Sequence, residues 1–211
     1  MDNQEQTLRA EIYYLLSTLY RQCPGKELLE FLSGLETESA PSDMQKAWLD
    51  LIEAAKKADL AALEDEYQDL FIGIGRGEVI PFASWHRTGS LMEKPLAAIR
   101  HDLELLGLTR EDEVKEPEDH IAALCEVMAL ISSEEDELQQ VFFNKHIATW
   151  FTAFVEQIKQ AEHAKFYFAV ANFTHAFLTL EQVRFSENIH SSKSKIKIDV
   201  KNITEYDQSQ Q

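Results

Sequence analysis

Apolar residues in this chain return at intervals of three and four, segment after segment, with little to interrupt them. Leu8, Ile12, Leu15, Leu16 and Leu19 form the first such stripe, and that spacing places side chains on one face of an α-helix. The chain has 7 glycines and 5 prolines in 211 residues. An all-β fold needs turn residues roughly every 8–12 positions, so the long unpunctuated runs predict an all-α helical bundle.

The stripes and their stops give about nine or ten helices. Cys23-Pro24-Gly25 ends the first, and Leu28, Leu29 and Leu32 make a short second stopped by Gly34. Pro41-Ser42 is a start signal for a third, carrying Met44, Ala47, Trp48, Leu51 and Ala55. Asp59 can cap a fourth, with Leu63, Tyr67, Leu70 and Phe71 on one side. Helical spacing then fails over FIGIGRGEVIPFASWHRTGS, which holds four glycines and one proline. A loop of that length inside a compact body is often functional. Helix resumes from Pro95 through Leu106 and stops at Gly107. A stripe at Ile121, Leu124, Cys125, Met128 and Ile131 follows, broken by Ser132-Ser133. Leu138, Val141 and Phe142 open another helix, and Trp150, Phe151, Phe154 and Ile158 continue in the same or a further one. Phe166 to Phe177 mark a long last helix. Beyond Phe185 the chain is polar; Ile196 and Ile198 alternate with charged residues, which suits a short strand or, better, a tail with little fixed structure.

The polar segment 109–117 divides the body. We read residues 1–108 as an N-terminal helical part, 109–117 as a hinge linker, 118–184 as a C-terminal helical part and 185–211 as a polar tail. If the linker extends, the C-terminal helices of one chain could pack on the N-terminal helices of another, giving a domain-swapped dimer.

Charge narrows the partners. With 37 acidic and 20 basic residues the formal net charge is −17, which opposes nucleic acid and anionic lipid and attracts basic peptides over a salt-dependent range. Cys23 and Cys125 form no C-x-x-C pair and read as buried thiols of a reducing compartment. The N-terminus lacks the basic region of an export signal, and no apolar run reaches membrane-spanning length. A cytoplasmic protein is expected.

EVKEPEDHIA, at 113–122, looks like a helix start with one misfit. Pro117 suits the first helical position, and Glu118 and Asp119 suit the positive end of the helix dipole. His120 does not, at least in its charged form. The bland reading is a partly buried imidazole bonded to a carboxylate; the sharper one is a binding position, since free N–H groups at a helix start and an adjacent Asp can orient the ring. Trp85 adds an aromatic that turn chemistry does not require, and an exposed Trp and His beside a hinge suit a recognition surface.

Other constellations are weaker. The glycines at 73, 75 and 77 match neither a P-loop nor a dinucleotide fingerprint. Seven scattered histidines make no HExxH, so no metal site is expected. Ser84 and His86 lack the GxSxG context of a serine nucleophile. A GTP-binding or hydrolytic enzyme using the glycine loop with Ser84 and His86 is the alternative reading.

Three segments in order carry a family likeness: E66-Y-x-x-L-F-x-G73, P81-F-A-S-W85 and E116-P-E-D-H120, followed by F142-x-x-x-H146-x-x-x-W150. Together they resemble the TorD/DmsD family of redox-enzyme maturation proteins, over about residues 8–184, and most closely its TorD branch. The resemblance implies a chaperone, not an enzyme. It implies binding of an apo-molybdoenzyme of the trimethylamine N-oxide reductase type and of its twin-arginine signal peptide. The molybdenum cofactor belongs to the client; no cofactor of the chaperone's own is implied, with weak GTP binding as a minor possibility. By the family's motifs, the binding residues expected here are Pro81, Ser84, Trp85, Glu116, Pro117, Asp119 and His120. A basic n-region suits the acidic chain, and an apolar h-region needs a groove, for which the junction of the two helical parts is the expected place.

Overall fold

A computed structural model describes residues 3–37, 41–73, 77–111 and 113–187. Within them the chain is helical: α1 (Asn3–Arg21), α2 (Lys26–Ser33), α3 (Asp43–Lys57), α4 (Leu60–Tyr67), α5 (Ala83–Thr88), α6 (Lys94–Leu105), α7 (Ile121–Leu130), α8 (Asp136–His146), α9 (Phe151–Gln160) and α10 (Phe166–Glu187). A π-helical turn, Gln68–Ile72, extends α4, and a 3₁₀ turn, Ile131–Ser133, follows α7. The only extended pairing among the described residues is one isolated antiparallel bridge, Phe82 to His120.

Several starts and stops follow the chemistry of the sequence. Ser42 Oγ accepts the Gln45 N–H at 3.1 Å and Asp59 Oδ1 the Ala62 N–H at 3.0 Å, capping α3 and α4. Gly107, at φ 68°, closes α6 while Leu108 N–H reaches back to Leu103 O at 2.9 Å. α7 lies at the centre. Ile121, Ala122, Leu124, Cys125, Val127, Met128 and Ala129 are all buried, so apolar neighbours cover most of it and only a strip at Ala123, Glu126 and Leu130 stays open. α1 packs along α7, while α3 and α9 pack on α10. One continuous apolar cluster therefore joins residues from both sides of the 109–117 segment.

Three local expectations are corrected, and one left open is settled. The 71–90 stretch is not irregular throughout: it begins in the π turn and contains α5. Pro117 does not open α7; Pro117 O accepts the His120 N–H in a turn, and the helix begins at Ile121 with His120 as its cap. Of the two arrangements the spacing left open, α8 and α9 are separate helices, divided at residues 147–150. The last helix runs through Glu187, past the point at which the polar tail was expected to begin. The strand or tail expected around Ile196 lies outside the described residues.

Candidate functional site

Two of the motifs, far apart in sequence, meet across the isolated bridge. Ala83 N–H donates to Asp119 O and Ile121 N–H to Pro81 O, each at 2.9 Å. The Asp119 carboxylate accepts the Ser84 N–H at 2.9 Å, so it satisfies an orphan donor at the start of α5 that Phe82, the residue at the cap, cannot reach. Edge-to-face contact between the Phe82 and His120 rings, centroids 5.0 Å apart, closes the junction.

This arrangement corrects the expectation of an exposed His120 whose ring is oriented by the Asp119 carboxylate. Asp119 is 1% exposed and holds backbone together; it is not available to a partner's arginine. His120 is 7% exposed, and its Nδ1 accepts the Ala122 N–H at 3.1 Å. Burial, and secondarily the Arg21 guanidinium, push its pKa down to about 3. The ring is therefore neutral, with its proton on Nε2, and that nitrogen has no hydrogen-bond partner among the described residues. Ser84 is also buried, with Oγ unpartnered. His86 Nε2–H donates to Ile80 O at 2.7 Å and the ring stacks on Trp150. The Ser84–His86 hydrogen bond that the hydrolytic reading requires is not formed.

His120 lines a cleft of about 240 Å³ bounded by α7, the end of α6 and the 108–118 segment. Leu103, Leu108, Val114, Val127 and Leu130 supply apolar lining, and Glu111, Glu116, Glu118 and Glu126 outnumber Arg21 and Arg110 at its edge. Two of the acids already hold guanidinium groups. Arg21 pairs with Glu126, and Glu118 pairs with Arg100 at 2.9 Å and with Arg110 at 3.8 Å. Burial works to raise Glu118, but the Arg100 hydrogen bond and both arginine charges overcome it and hold the carboxyl below its usual range. Glu111 and Glu116 are exposed and form no ion pair among the described residues. Pro117 is half-buried in the turn beside them.

Across the bridge lies an open apolar groove of about 300 Å³. Phe71, Ile72, Val79, Pro81, Phe82, Trp85 and Leu91 line it. Ile72 and Leu91 are more than half exposed, and Met92, at φ 56°, is 75% exposed. Gly77 forms one wall because nothing larger fits: a Cβ there would lie 2.4 Å from Leu70 O. Phe82 lines the groove and His120 the cleft, so the two depressions share the bridge as a common wall. Sequence reasoning missed Arg21, Glu126 and Leu91. They sit on separate elements, and only tertiary packing brings them to the site.

No helix among the described residues is long and apolar enough to cross a membrane, and no group of His, Cys, Asp and Glu there could hold a metal ion. Comparison with known proteins agrees with the motifs. The nitrate reductase delta subunit family matches residues 37–156. The chaperone protein TorD of Vibrio cholerae serotype O1 (strain ATCC 39541) is 27% identical, covering 87% of this chain and 94% of its own. TorD of Aliivibrio salmonicida is 30% identical over 82% of this chain and 92% of its own. A protein of Haemophilus influenzae described as a Tat proofreading chaperone, DmsD, is 29% identical over 60% and 64%. Among solved structures, one described as a redox enzyme maturation protein from Archaeoglobus fulgidus superposes with a TM-score of 0.56 at 20% identity, covering 82% of this chain and 93% of that one.

Proposed function

Since this chain belongs to the redox-enzyme maturation family of TorD and DmsD chaperones, we propose that the junction between its P-F-A-S-W and E-P-x-D-H segments binds the leader of an unfinished molybdoenzyme. The protein is a system-specific chaperone for molybdoenzyme maturation, not a catalyst. The finer reading is a cytoplasmic partner of a trimethylamine N-oxide reductase type of enzyme, engaging its twin-arginine signal peptide and delaying export until the cofactor is in. This reading assigns no cofactor to the chaperone itself.

One observation carries the site: an acid-rimmed cleft and an apolar groove share the wall formed by Phe82 and His120. A leader has a basic stretch followed by an apolar one. The first suits Glu111 and Glu116, carboxylates a guanidinium can grip bidentately; the second suits the groove along Trp85, Phe82 and Leu91. The neutral His120 Nε2–H is a donor for a backbone carbonyl of the bound segment. Pro81, Ser84, Pro117 and Asp119 hold the two walls in register and act by position.

Calorimetric titration with a synthetic twin-arginine leader tests this. Changing Glu111 and Glu116 together to Gln is expected to weaken binding about tenfold, the effect of losing charge-assisted contacts worth roughly 1.5 kcal/mol in all. Leu91→Ser is expected to weaken it several-fold by removing apolar contact. Unchanged affinity in both folded variants would discard the site. The 109–117 segment is proposed as the hinge between the helical parts. Exchange through it would rebuild the α1–α7 contact between two copies, and light scattering across a concentration series distinguishes that dimer from a monomer.

A further inference from the structure

We propose that the cleft has an internal occupant: the segment Lys193–Lys201 of the same chain docks there and competes with the leader. The proposal rests on the reading of the cleft given above and adds a regulator to it.

The segment reads KSKIKIDVK. It places four lysines against one aspartate in a chain whose net charge is −17, and it interleaves them with Ile196, Ile198 and Val200. That is the chemistry assigned to the client leader: cationic groups for carboxylates, aliphatic side chains for an apolar floor. The cleft offers both, in Glu111, Glu116 and Glu126 at the edge and Leu108, Val127 and Leu130 beneath. His120, which also lines this cleft, offers it a ring N–H with no partner among the described residues. An extended segment brings the backbone carbonyls such a donor needs.

The path is short enough. Gln140 donates to Phe185 O, Glu181 pairs with Arg9, and Arg9 also donates to Gln139, whose amide donates to Ser132 O at 3.2 Å. The last turns of α10 are therefore linked, through Arg9 and Gln139, to the turn that follows Leu130, and Leu130 is already part of the cleft. From Glu187 to Lys193 the chain can span about 20 Å when extended. α7 is about 15 Å long. The lysines can thus reach the cleft from its Leu130 end. Tethering makes the competitor's effective concentration millimolar in order of magnitude, so even a weak contact would mask the cleft.

Zero-length carbodiimide coupling of the full chain, with the new amides mapped by mass spectrometry, tests docking directly. Lysines 193, 195, 197 and 201 are expected to couple chiefly to Glu111, Glu116 and Glu126, with the yield falling at high salt. Mixing isotopically labelled and unlabelled chains tells where the tail comes from. Coupling within one copy supports the proposal, and coupling between copies overturns it, as does coupling spread evenly over other acidic surfaces. The variant with all four lysines changed to Ala is then expected to bind the leader about 3- to 10-fold more tightly. The two readings fail separately. Absence of tail coupling with leader binding still sensitive to Glu111 and Glu116 would sink this proposal alone. Tail coupling at the cleft with leader affinity indifferent to those glutamates would show that the client sits elsewhere, and would overturn the competition.

Discussion

At the scale of single residues, His120 shows how a side chain can look misplaced in sequence and be well chosen in space. A charged imidazole would be disfavoured at the positive end of α7, but the buried ring is neutral and can accept the Ala122 N–H. The consequence for stability has a definite sign. The folded pKa lies near 3 and the unfolded value near 6.5, so between them the unfolded chain binds the proton that the folded chain refuses. The contribution is fully present above the unfolded pKa and is lost as pH falls, by roughly 1.4 kcal/mol per unit inside that window. His86 and His146 are also lowered, first by burial, and add to the slope. Denaturant melts between pH 4 and 7 are expected to show falling stability toward acid, and His120→Asn, which keeps a capping acceptor but cannot titrate there, is expected to flatten the slope. Asp119→Ala makes the companion point. Orphaning the Ser84 N–H should cost on the order of 1–3 kcal/mol, lowering the melting temperature whether or not any client is present.

At the scale of elements, the same device recurs: a carboxylate distant in sequence caps a helix. Glu66, itself buried in α4, accepts the N–H groups of Lys165, Phe166 and Tyr167 at 2.8, 3.1 and 2.8 Å, and so holds the first turn of α10. Removing it with Glu66→Ala leaves three donors without their acceptor in a partly closed space, and a loss on the order of 3 kcal/mol in denaturant midpoint experiments is expected. Glu66→Gln keeps an acceptor and should lose about half as much. These remote caps also mark the limit of what the sequence disclosed. Ser42 and Asp59 cap locally, so the starts of α3 and α4 were legible. Pro117-Glu118-Asp119 satisfied every local rule for a helix start and misled, because Asp119 serves α5 instead. α5 went unseen for the complementary reason: six residues carry no stripe, and the acceptor for its Ser84 N–H comes from 35 positions away. The site divides the same way. Its motif residues could be named in advance; the pairing of cleft with groove could not, because Arg21, Glu126 and Leu91 join it through packing alone.

At the scale of the whole molecule, the question is how an acidic protein holds a basic, apolar partner without simply collecting every cation. Long-range attraction from a net charge of −17 raises the encounter rate but is shared by the entire surface, and it is screened beyond about 10 Å at 0.1 M salt. In the proposed site, selectivity comes from short-range contact, where acid and apolar surfaces meet in the order a leader presents them. The two contributions part company in salt. Raising the ionic strength from 0.05 to 0.5 M is expected to weaken leader binding by about a factor of ten through the charged term, and then to level off at the affinity that the groove sustains. In Leu91→Ser the plateau should fall while the slope stays the same; in the Glu111/Glu116 double Gln variant the slope should shrink while the plateau stays. Titration calorimetry over a salt series reads both. Binding that vanishes entirely at high salt would mean the groove contributes nothing, and the shared wall between Phe82 and His120 would then be scaffolding alone.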